Sequence, residues 1–304
     1  MNIGVVLVTF NRLEKLKIAL KSYESQTKIP RHIVVVNNGS DDGTLEYLNE
    51  WSQEESRIEK HIINMNTNSG GSGGFYAGMK YAITLPIDWI WVADDDAYPE
   101  SSALLYLERY YNDLNKEERE KIAALCGAVI NKGNIHLQHR NHIKETLFKV
   151  KIQHSNLGEY NKKSFNIDLF SYVGSMVSVR ALKSAGLTDK DYFIYCDDQE
   201  HSLRLRRTGK LVCVPECRII HDTPGFNSKK FFWGDYYHYR NELLMIRKYY
   251  PLKFILRWIK GYYKNIVVDN SILNVEKRLR KSAYFDAIRN KSGIHEIYKP
   301  GWKP

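Results

Sequence analysis

Along the first hundred residues, short continuous apolar runs alternate with stretches whose apolar positions recur at helical spacing. Ile3 to Val8 is a β-branched apolar run, followed by Leu13, Leu16, Leu20 and Tyr23 on one helical face. This predicts a strand and then a helix, with Asn11 as its cap and Glu14 three residues on completing a box-like start. Ile33 to Val36 predicts a second strand, closed by the turn residues Asn37 to Gly43, and Thr44 to about Glu54 a second helix. Arg57 to Ile63 predicts a third strand, the Gly-rich segment Asn68 to Gly78 leads into a helix near Met79, and Trp89 to Val92 is a fourth strand. Such βαβα alternation implies an α/β fold with an open, mainly parallel sheet and helices on both faces. Ligands bind such sheets beyond the carboxyl ends of the strands. The polar segments Thr9 to Arg12, Asn38 to Asp42, Asn66 to Gly74 and Asp94 to Asp96 are therefore expected to share one crevice.

The fourth strand ends abruptly in Asp94, Asp95 and Asp96. Adjacent carboxylates repel one another and resist desolvation, so a cluster at a buried strand end calls for a cation. Mg²⁺ or Mn²⁺ suits an oxygen-rich site and commonly bridges carboxylates to substrate phosphates. By itself the triplet also fits an acidic, solvated turn. A second acidic group, Asp197-Asp198-Gln199-Glu200, falls in the first turn of a short helix that stops by Gly209. It can complement the helix dipole, or one carboxylate can act as general base while its neighbour orients the site. His221 follows the apolar pair Ile219-Ile220 and is a candidate third metal ligand. The glycines of Asn68 to Gly74 could bring backbone N–H groups to phosphate or ribose. No Gly-Lys-Ser/Thr follows them, and their spacing is not that of a Rossmann fingerprint.

Lys132 to Lys163 is polar and reads as an irregular excursion in which His136, His139, His142 and His154 could form a metal cluster, but their spacings match no recognised pattern and they are expected to be exposed. Gly174-Ser175-Met176 precedes a short strand through Val179, and Leu211 to Val214 is another. A chain of 304 residues with 43% hydrophobic and 12% aromatic residues is globular rather than disordered. Cys126, Cys196, Cys213 and Cys217 are too few and scattered for a disulfide framework, which points to a reduced, cytosolic setting. Neither a leader peptide nor an apolar run near the ~18 residues of a membrane span is expected. The net charge of +10 is uneven: from Gly225 onward 17 Lys and Arg face 6 Asp and Glu, leaving residues 1–224 at −1.

The order of these features resembles the nucleotide-sugar-dependent glycosyltransferases of family 2, which have the GT-A fold and invert the anomeric centre. The matching pieces are Val8 to Arg12, Val35 to Ser40, Asn68 to Gly74, Asp94 to Asp96, Gly174-Ser175, the Asp197-Asp198 helix and His221, spanning roughly residues 3–222. Within that family, Asn68 to Phe75, the Asp triplet and Asp197 to Glu200 look most like bacterial galactofuranosyltransferases, which use UDP-galactofuranose. Rhamnosyltransferases using dTDP-rhamnose share much of the pattern. The resemblance implies Asp94, Asp96 and His221 as ligands of Mn²⁺ or Mg²⁺, with Asp95 near the nucleotide. It implies Thr9, Arg12 and Asn38 at the base and ribose, and Asn68, Gly70 and Gly71 along the ribose and diphosphate. Asp198 would be the catalytic base, with Asp197, Gly174 and Ser175 at the acceptor or donor sugar. Asn38 departs from the Asp that many members carry there.

These features divide the chain into a catalytic domain at 1–224, with a nucleotide-sugar half to about residue 100 and an acceptor half beyond, and a basic, aromatic helical region at 225–304. In the latter, Tyr236, Tyr239, Leu243, Ile246 and Tyr250 repeat at helical spacing. Phe254, Ile255, Trp258, Ile259, Tyr262 and Ile266 interleave with Lys253, Arg257, Lys260 and Lys264, and a further helix is expected from about Ser271 to Arg289. Such a region can lie on an anionic membrane surface, or pack against the catalytic domain or a second subunit of a homo-oligomer. The membrane use fits a lipid-linked acceptor and a peripheral place on the inner face of the plasma membrane, in surface-polysaccharide synthesis. A nucleic-acid-binding tail or an inert membrane-associated scaffold would leave both acidic groups unexplained.

Overall fold

A computed structural model of the chain describes residues 1–223, 231–268 and 273–304. The expected alternation is present: β1 (Ile3–Thr9), α1 (Leu13–Glu24), β2 (His32–Asn37), α2 (Thr44–Gln53), β3 (Glu59–Asn64), α3 (Gly70–Ala82) and β4 (Trp89–Asp94). Then come β5 (Ala97–Pro99), α4 (Ala103–Asp113), α5 (Lys116–Glu120), β6 (Ile122–Asn131), β7 (Asn134–Ile135), β8 (Arg140–Glu145), β9 (Val150–His154), β10 (Phe165–Ile167), β11 (Leu169–Phe170) and β12 (Ser175–Ser178). The chain closes with α6 (Val179–Ala185), α7 (Asp197–Leu205), β13 (Lys210–His221), α8 (Gly234–Tyr249), α9 (Pro251–Tyr262) and α10 (Asn274–Ile288).

The main sheet runs β10-β13-β6-β12-β4-β1-β2-β3. Its β3-β2-β1-β4 half is parallel, as the helical crossovers require, and β12 enters antiparallel between β4 and β6. Alternation along β1 feeds both faces. Val5 and Leu7 join a core with Leu16, Leu20, Trp51 and Trp91, while Val6 and Val8 join Val36, Phe75 and Met79. The sheet is thus covered on both sides, which explains why its strands read as continuous apolar runs.

Several expectations change. Asn11 does not cap α1: it adopts φ 52°, and its side chain accepts from Asp41 N instead. Asp42, from the loop after β2, takes the Leu13 N–H at 3.0 Å. The Gly-rich segment is itself helix from Gly70, because Gly74 and Gly78 let α3 lie against Val8 and Val6 of β1. The polar excursion is ordered, with β8 and β9 pairing in a small sheet with β11. The third tail helix begins at Asn274, and Ser271 lies outside the described residues.

Candidate active site

The acidic strand end is built by register. β4 lies beside β1 with Asp94 opposite Val8, and the short β5 pairs with the end of β13 so that Ala97 faces His221. Two residues of turn between β4 and β5 therefore stand next to both Thr9 and His221. Thr9 Oγ1 donates to Asp95 at 2.8 Å, and Arg12 reaches Asp95 at 3.1 Å and Asp96 at 2.9 Å. Lys15 lies 3.9 Å from Asp96, and His221 Nε2 is 3.5 Å from it.

These neighbours split the triplet electrostatically. Burial pushes Asp94 well above the usual carboxylate range, and Asp96 and Asp95 add to it. Burial lifts Asp95 to about 6 against the opposing pull of Arg12 and Thr9. At Asp96, burial is outweighed by His221, Arg12 and Lys15, which hold it below its ordinary value. Asp94 is half-buried and its carboxylate accepts no hydrogen bond among the described residues, where His221 Nδ1 is buried without a partner. A half-buried carboxylate with no donor, beside a second carboxylate and an imidazole, is a donor set that fits a hard divalent cation.

The second part of the site is the entry to α3. Asn38, buried at the end of β2, is fully used: Oδ1 accepts from Ser69 N at 3.0 Å and Ser69 Oγ at 2.9 Å. Its Nδ2 donates to Gly70 O at 2.9 Å and Asn68 Oδ1 at 3.3 Å. A carboxylate could not make the last two bonds, which accounts for the Asn at this position. Gly70 sits at φ 73°, and a Cβ there would meet Phe193 O at 2.1 Å. Around Gly71 an added Cβ meets nothing, so backbone is open to a ligand there.

The third part is the start of α7. Phe193, Tyr195 and Cys196 all take positive φ, 65°, 66° and 63°. Such backbone is strained for these residues and needs outside support. Asn241 of α8, fully buried, supplies it: Nδ2 lies 2.9, 2.8 and 2.9 Å from the carbonyl oxygens of Tyr192, Ile194 and Tyr195. Ser72 N donates to Phe193 O at 3.1 Å, tying the α3 entry to this segment. Burial raises Asp197, and burial with the adjacent Asp197 raises Asp198 further. Asp197 lies close enough to contribute to the rise at Asp94, so the two acidic groups are neighbours.

Thus Thr9, Arg12, Asp94, Asp95, Asp96 and His221 form one group, and Asn38, Asn68 and Gly70 the adjoining wall. Gly174 and Ser175 lie behind the crevice. Ser175 is fully buried in β12 with its hydroxyl on Ser171 O at 2.7 Å, and a Cβ on Gly174 would meet Ile219 at 2.4 Å. Both serve packing here. His136 and His139 are half-buried beside His221, where exposure was expected. The expectation failed because β7 folds back on β6 and carries the next turn to the end of β13.

Sequence reasoning passed over Arg140, which is fully buried and donates to Gly127 O at 2.9 Å and to Val173 O and Gly174 O at 2.9 and 3.1 Å. It also passed over Glu200 as an anchor. Glu200 is 2.8 Å from Arg204, 2.7 Å from Lys248 and 2.6 Å from the Tyr249 hydroxyl, and despite burial is held to about 2. A lone arginine in an excursion of mixed polarity carries no sequence signal. Glu200 and Arg204 do, as an i, i+4 pair.

Residues 4–183 match the family described as Glycosyl transferase family 2. A galactofuranosyltransferase GlfT1 of Mycolicibacterium smegmatis is 36% identical over 100 residues, 33% of this chain and 32% of that protein. The GlfT1 of Mycobacterium tuberculosis is 32% identical over 105 residues, 34% of this chain and 33% of that protein. The matched part thus spans about a third of these relatives. Among solved structures, GalNAc-T7 with UDP, GalNAc and Mn²⁺ superimposes with TM-score 0.65 at 13% identity, over 95% of this chain and 56% of that one. The 1–349 fragment of S. aureus TarS with UDP-GlcNAc gives 0.58 at 14% identity, over 95% and 82%.

Proposed function

Since the chain belongs to glycosyl transferase family 2, we propose that it is a metal-dependent, inverting galactofuranosyltransferase that uses UDP-galactofuranose and a glycan or lipid-linked acceptor. What supports this reading is the Asp94–Asp96 strand end, with Arg12 and His221 beside Asp96, lying near the raised carboxylate pair at the start of α7. The partial likeness to GlfT1 supports the donor. Asp94, Asp96 and His221 would hold Mn²⁺ or Mg²⁺, which supplies Lewis-acid stabilisation of the departing diphosphate. Arg12, shared between Asp95 and Asp96, keeps those carboxylates oriented and leaves half of its side chain exposed toward the donor. Gly71 offers open backbone for the ribose and diphosphate. Asp198 takes the proton of the acceptor hydroxyl as its oxygen bonds to the anomeric carbon. The bond from that carbon to the diphosphate oxygen breaks, UDP leaves, and the configuration inverts. Asp197 holds a sugar hydroxyl beside the base.

The membrane reading of the tail rests on α9. Leu252 is 90% exposed, and Ile255, Leu256 and Ile259 are about half exposed, beside Lys260 and Lys264. No helix among the described residues is long and apolar enough to cross a membrane. We infer that α9 lies on an anionic bilayer surface, which would bring a lipid-linked acceptor to the crevice.

A donor screen tests the central reading. The protein is incubated with Mn²⁺ and UDP-galactofuranose, UDP-galactopyranose, UDP-GlcNAc or dTDP-rhamnose, and nucleotide release is measured. Release from UDP-galactofuranose alone, stopped by EDTA, is expected. Turnover restricted to dTDP-rhamnose would replace the donor, and inertness toward every nucleotide sugar would remove the transferase assignment.

A further inference from the structure

Three imidazoles meet beside the acidic strand end. His139 Nε2 lies 3.1 Å from His136 Nδ1. The His136 and His139 rings are 6.3 and 5.0 Å from that of His221, and one nitrogen from each of the three falls within 4.8 Å of the others. Ser171 Oγ, 2.7 Å from His139 Nδ1, engages the far edge of that ring and leaves Nε2 for the cluster. His221 presents Nε2 to Asp96 at 3.5 Å, while its buried Nδ1 has no partner among the described residues. Unpaired buried polar atoms are costly, and this one belongs to the ring that the other two histidines face.

We propose that His136, His139 and His221 form a second cation site, selective for nitrogen-preferring ions such as Zn²⁺, and that its occupant competes with the donor's metal for His221. The ligand chemistry separates the two sites. Three imidazoles suit Zn²⁺, whereas Mg²⁺ and Mn²⁺ prefer the carboxylates of Asp94 and Asp96. At a Zn–N distance of ~2.0–2.1 Å a tetrahedral ion needs donor atoms about 3.3 Å apart. The His136–His139 pair already stands at 3.1 Å, and a side-chain rotation brings His221 in. Competition follows from the imidazole itself, because a neutral ring has one lone pair. When Nε2 binds the metal it shares with Asp96, Nδ1 carries the proton. When Nδ1 binds zinc, Nε2 carries it toward Asp96. Zinc therefore inhibits by fixing the wrong tautomer of His221 without displacing the donor from its other contacts. This effect on transfer rests on the metal reading given above, but occupancy of the site does not.

The test uses the full chain stripped of metal by EDTA and desalted. ZnCl₂ is titrated calorimetrically without donor, into wild type and into His136→Gln, His139→Gln and His61→Gln, each checked for folding by thermal melting. The last removes the other close histidine pair, His32 and His61, 3.1 Å apart. One zinc equivalent should bind wild type and His61→Gln at least 10-fold more tightly than His136→Gln and His139→Gln. In transfer assays at fixed Mn²⁺, both cluster variants should keep zinc-free activity and need at least 10-fold more zinc for inhibition. Equal zinc affinity in wild type and both cluster variants, or loss in His61→Gln alone, overturns the site. Equal inhibition of all variants overturns the competition. Cluster-dependent zinc binding by a protein with no metal-dependent transfer would keep this site and reject the proposed function.

Discussion

The two acidic centres use the same residue type in opposite surroundings. Around Asp94 to Asp96 polar partners converge, with Arg12 on Asp95 and Asp96, and Lys15 and the His221 imidazole also beside Asp96. Around α7 they are drawn away. Arg204 and Lys248 both go to Glu200, which is held to about 2, while Asp198, two residues earlier, is pushed above the usual carboxylate range by burial and Asp197. One centre thus holds one carboxylate, Asp96, below its ordinary value beside two that burial raises, and the other raises both of its carboxylates together. Divergent environments for like groups are how one site separates its roles.

Removing the cation-binding side should have the largest effect. Asp96→Ala should abolish transfer and weaken Mn²⁺-dependent UDP binding, since it deletes the one carboxylate of the triplet held below its ordinary value. Loss of activity with unchanged melting and unchanged UDP affinity would mean that Asp96 acts elsewhere than on the metal. Full activity, or activity that survives excess EDTA, would end the comparison.

Next comes the base. Asp198→Asn keeps size but takes no proton, so turnover should fall roughly 10²-fold or more while UDP binding survives. The base form of Asp198 exists only above its raised pKa, so wild-type kcat should climb with pH through that displaced value and fall away below it. Asp197→Asn removes a neighbouring negative charge and should move this acid limb toward lower pH, though only in part, because burial is the larger cause. An acid limb that stays put in Asp197→Asn and disappears in Asp198→Asn would break the coupling but keep the base. A normal limb in Asp198→Asn would transfer the role to Asp197.

A smaller effect should come from the support beneath the base. Asn241→Ala strips the side-chain donor from Tyr192 O, Ile194 O and Tyr195 O along a strained segment. Tyr192 O keeps the Ile194 N–H and Arg240, so the loss falls on the Ile194 and Tyr195 carbonyls, and leaving such a group unpaired costs on the order of 1–3 kcal/mol, read as a lowered Tm. Because that segment leads into Asp197, kcat should fall with it while Mn²⁺-dependent UDP affinity holds. Equal losses of both would mean that α8 supports the whole crevice rather than one side of it.

What could be read from residues alone followed periodicity. The strands β1, β2 and β4 are buried on both faces and announce themselves as apolar runs, and the acidic residues at their ends inherit their place from the sheet. What could not be read depended on contacts distant in sequence. Asn241 stands 46 to 49 positions from the carbonyls it holds, and Arg140 34 from Gly174 O. The glycines of α3 misled for a related reason. Glycine lowers helix propensity, and it is the closeness of β1 that makes glycine fit at Gly74 and Gly78 of this helix. His136 looked like surface because its partner, His221, arrives from the far end of β13.

The least effect on chemistry, and the sharpest on location, is expected from α9. Of the four basic residues that α9 and the turn after it offer to a membrane, Lys253 pairs with Glu145 and Arg257 with Glu242, so both are partly neutralised within the protein. Lys260 and Lys264 make no ion pair among the described residues, and they flank the exposed Leu256, Ile259 and Tyr263. The double variant Lys260→Gln, Lys264→Gln should lose about 2 kcal/mol of affinity for anionic vesicles, at ~1 kcal/mol for each basic side chain near the surface. Leu256→Ser with Ile259→Ser should weaken binding to anionic and neutral vesicles alike, because it removes apolar burial rather than charge. Co-sedimentation with vesicles of stated lipid charge, at low and physiological salt, reads both. Turnover on a soluble acceptor should stay unchanged in either variant, which separates this face from the crevice. If both variants partition as wild type does, α9 is the face of a subunit contact, and sedimentation velocity should then find wild type as an oligomer that Leu256→Ser with Ile259→Ser dissociates.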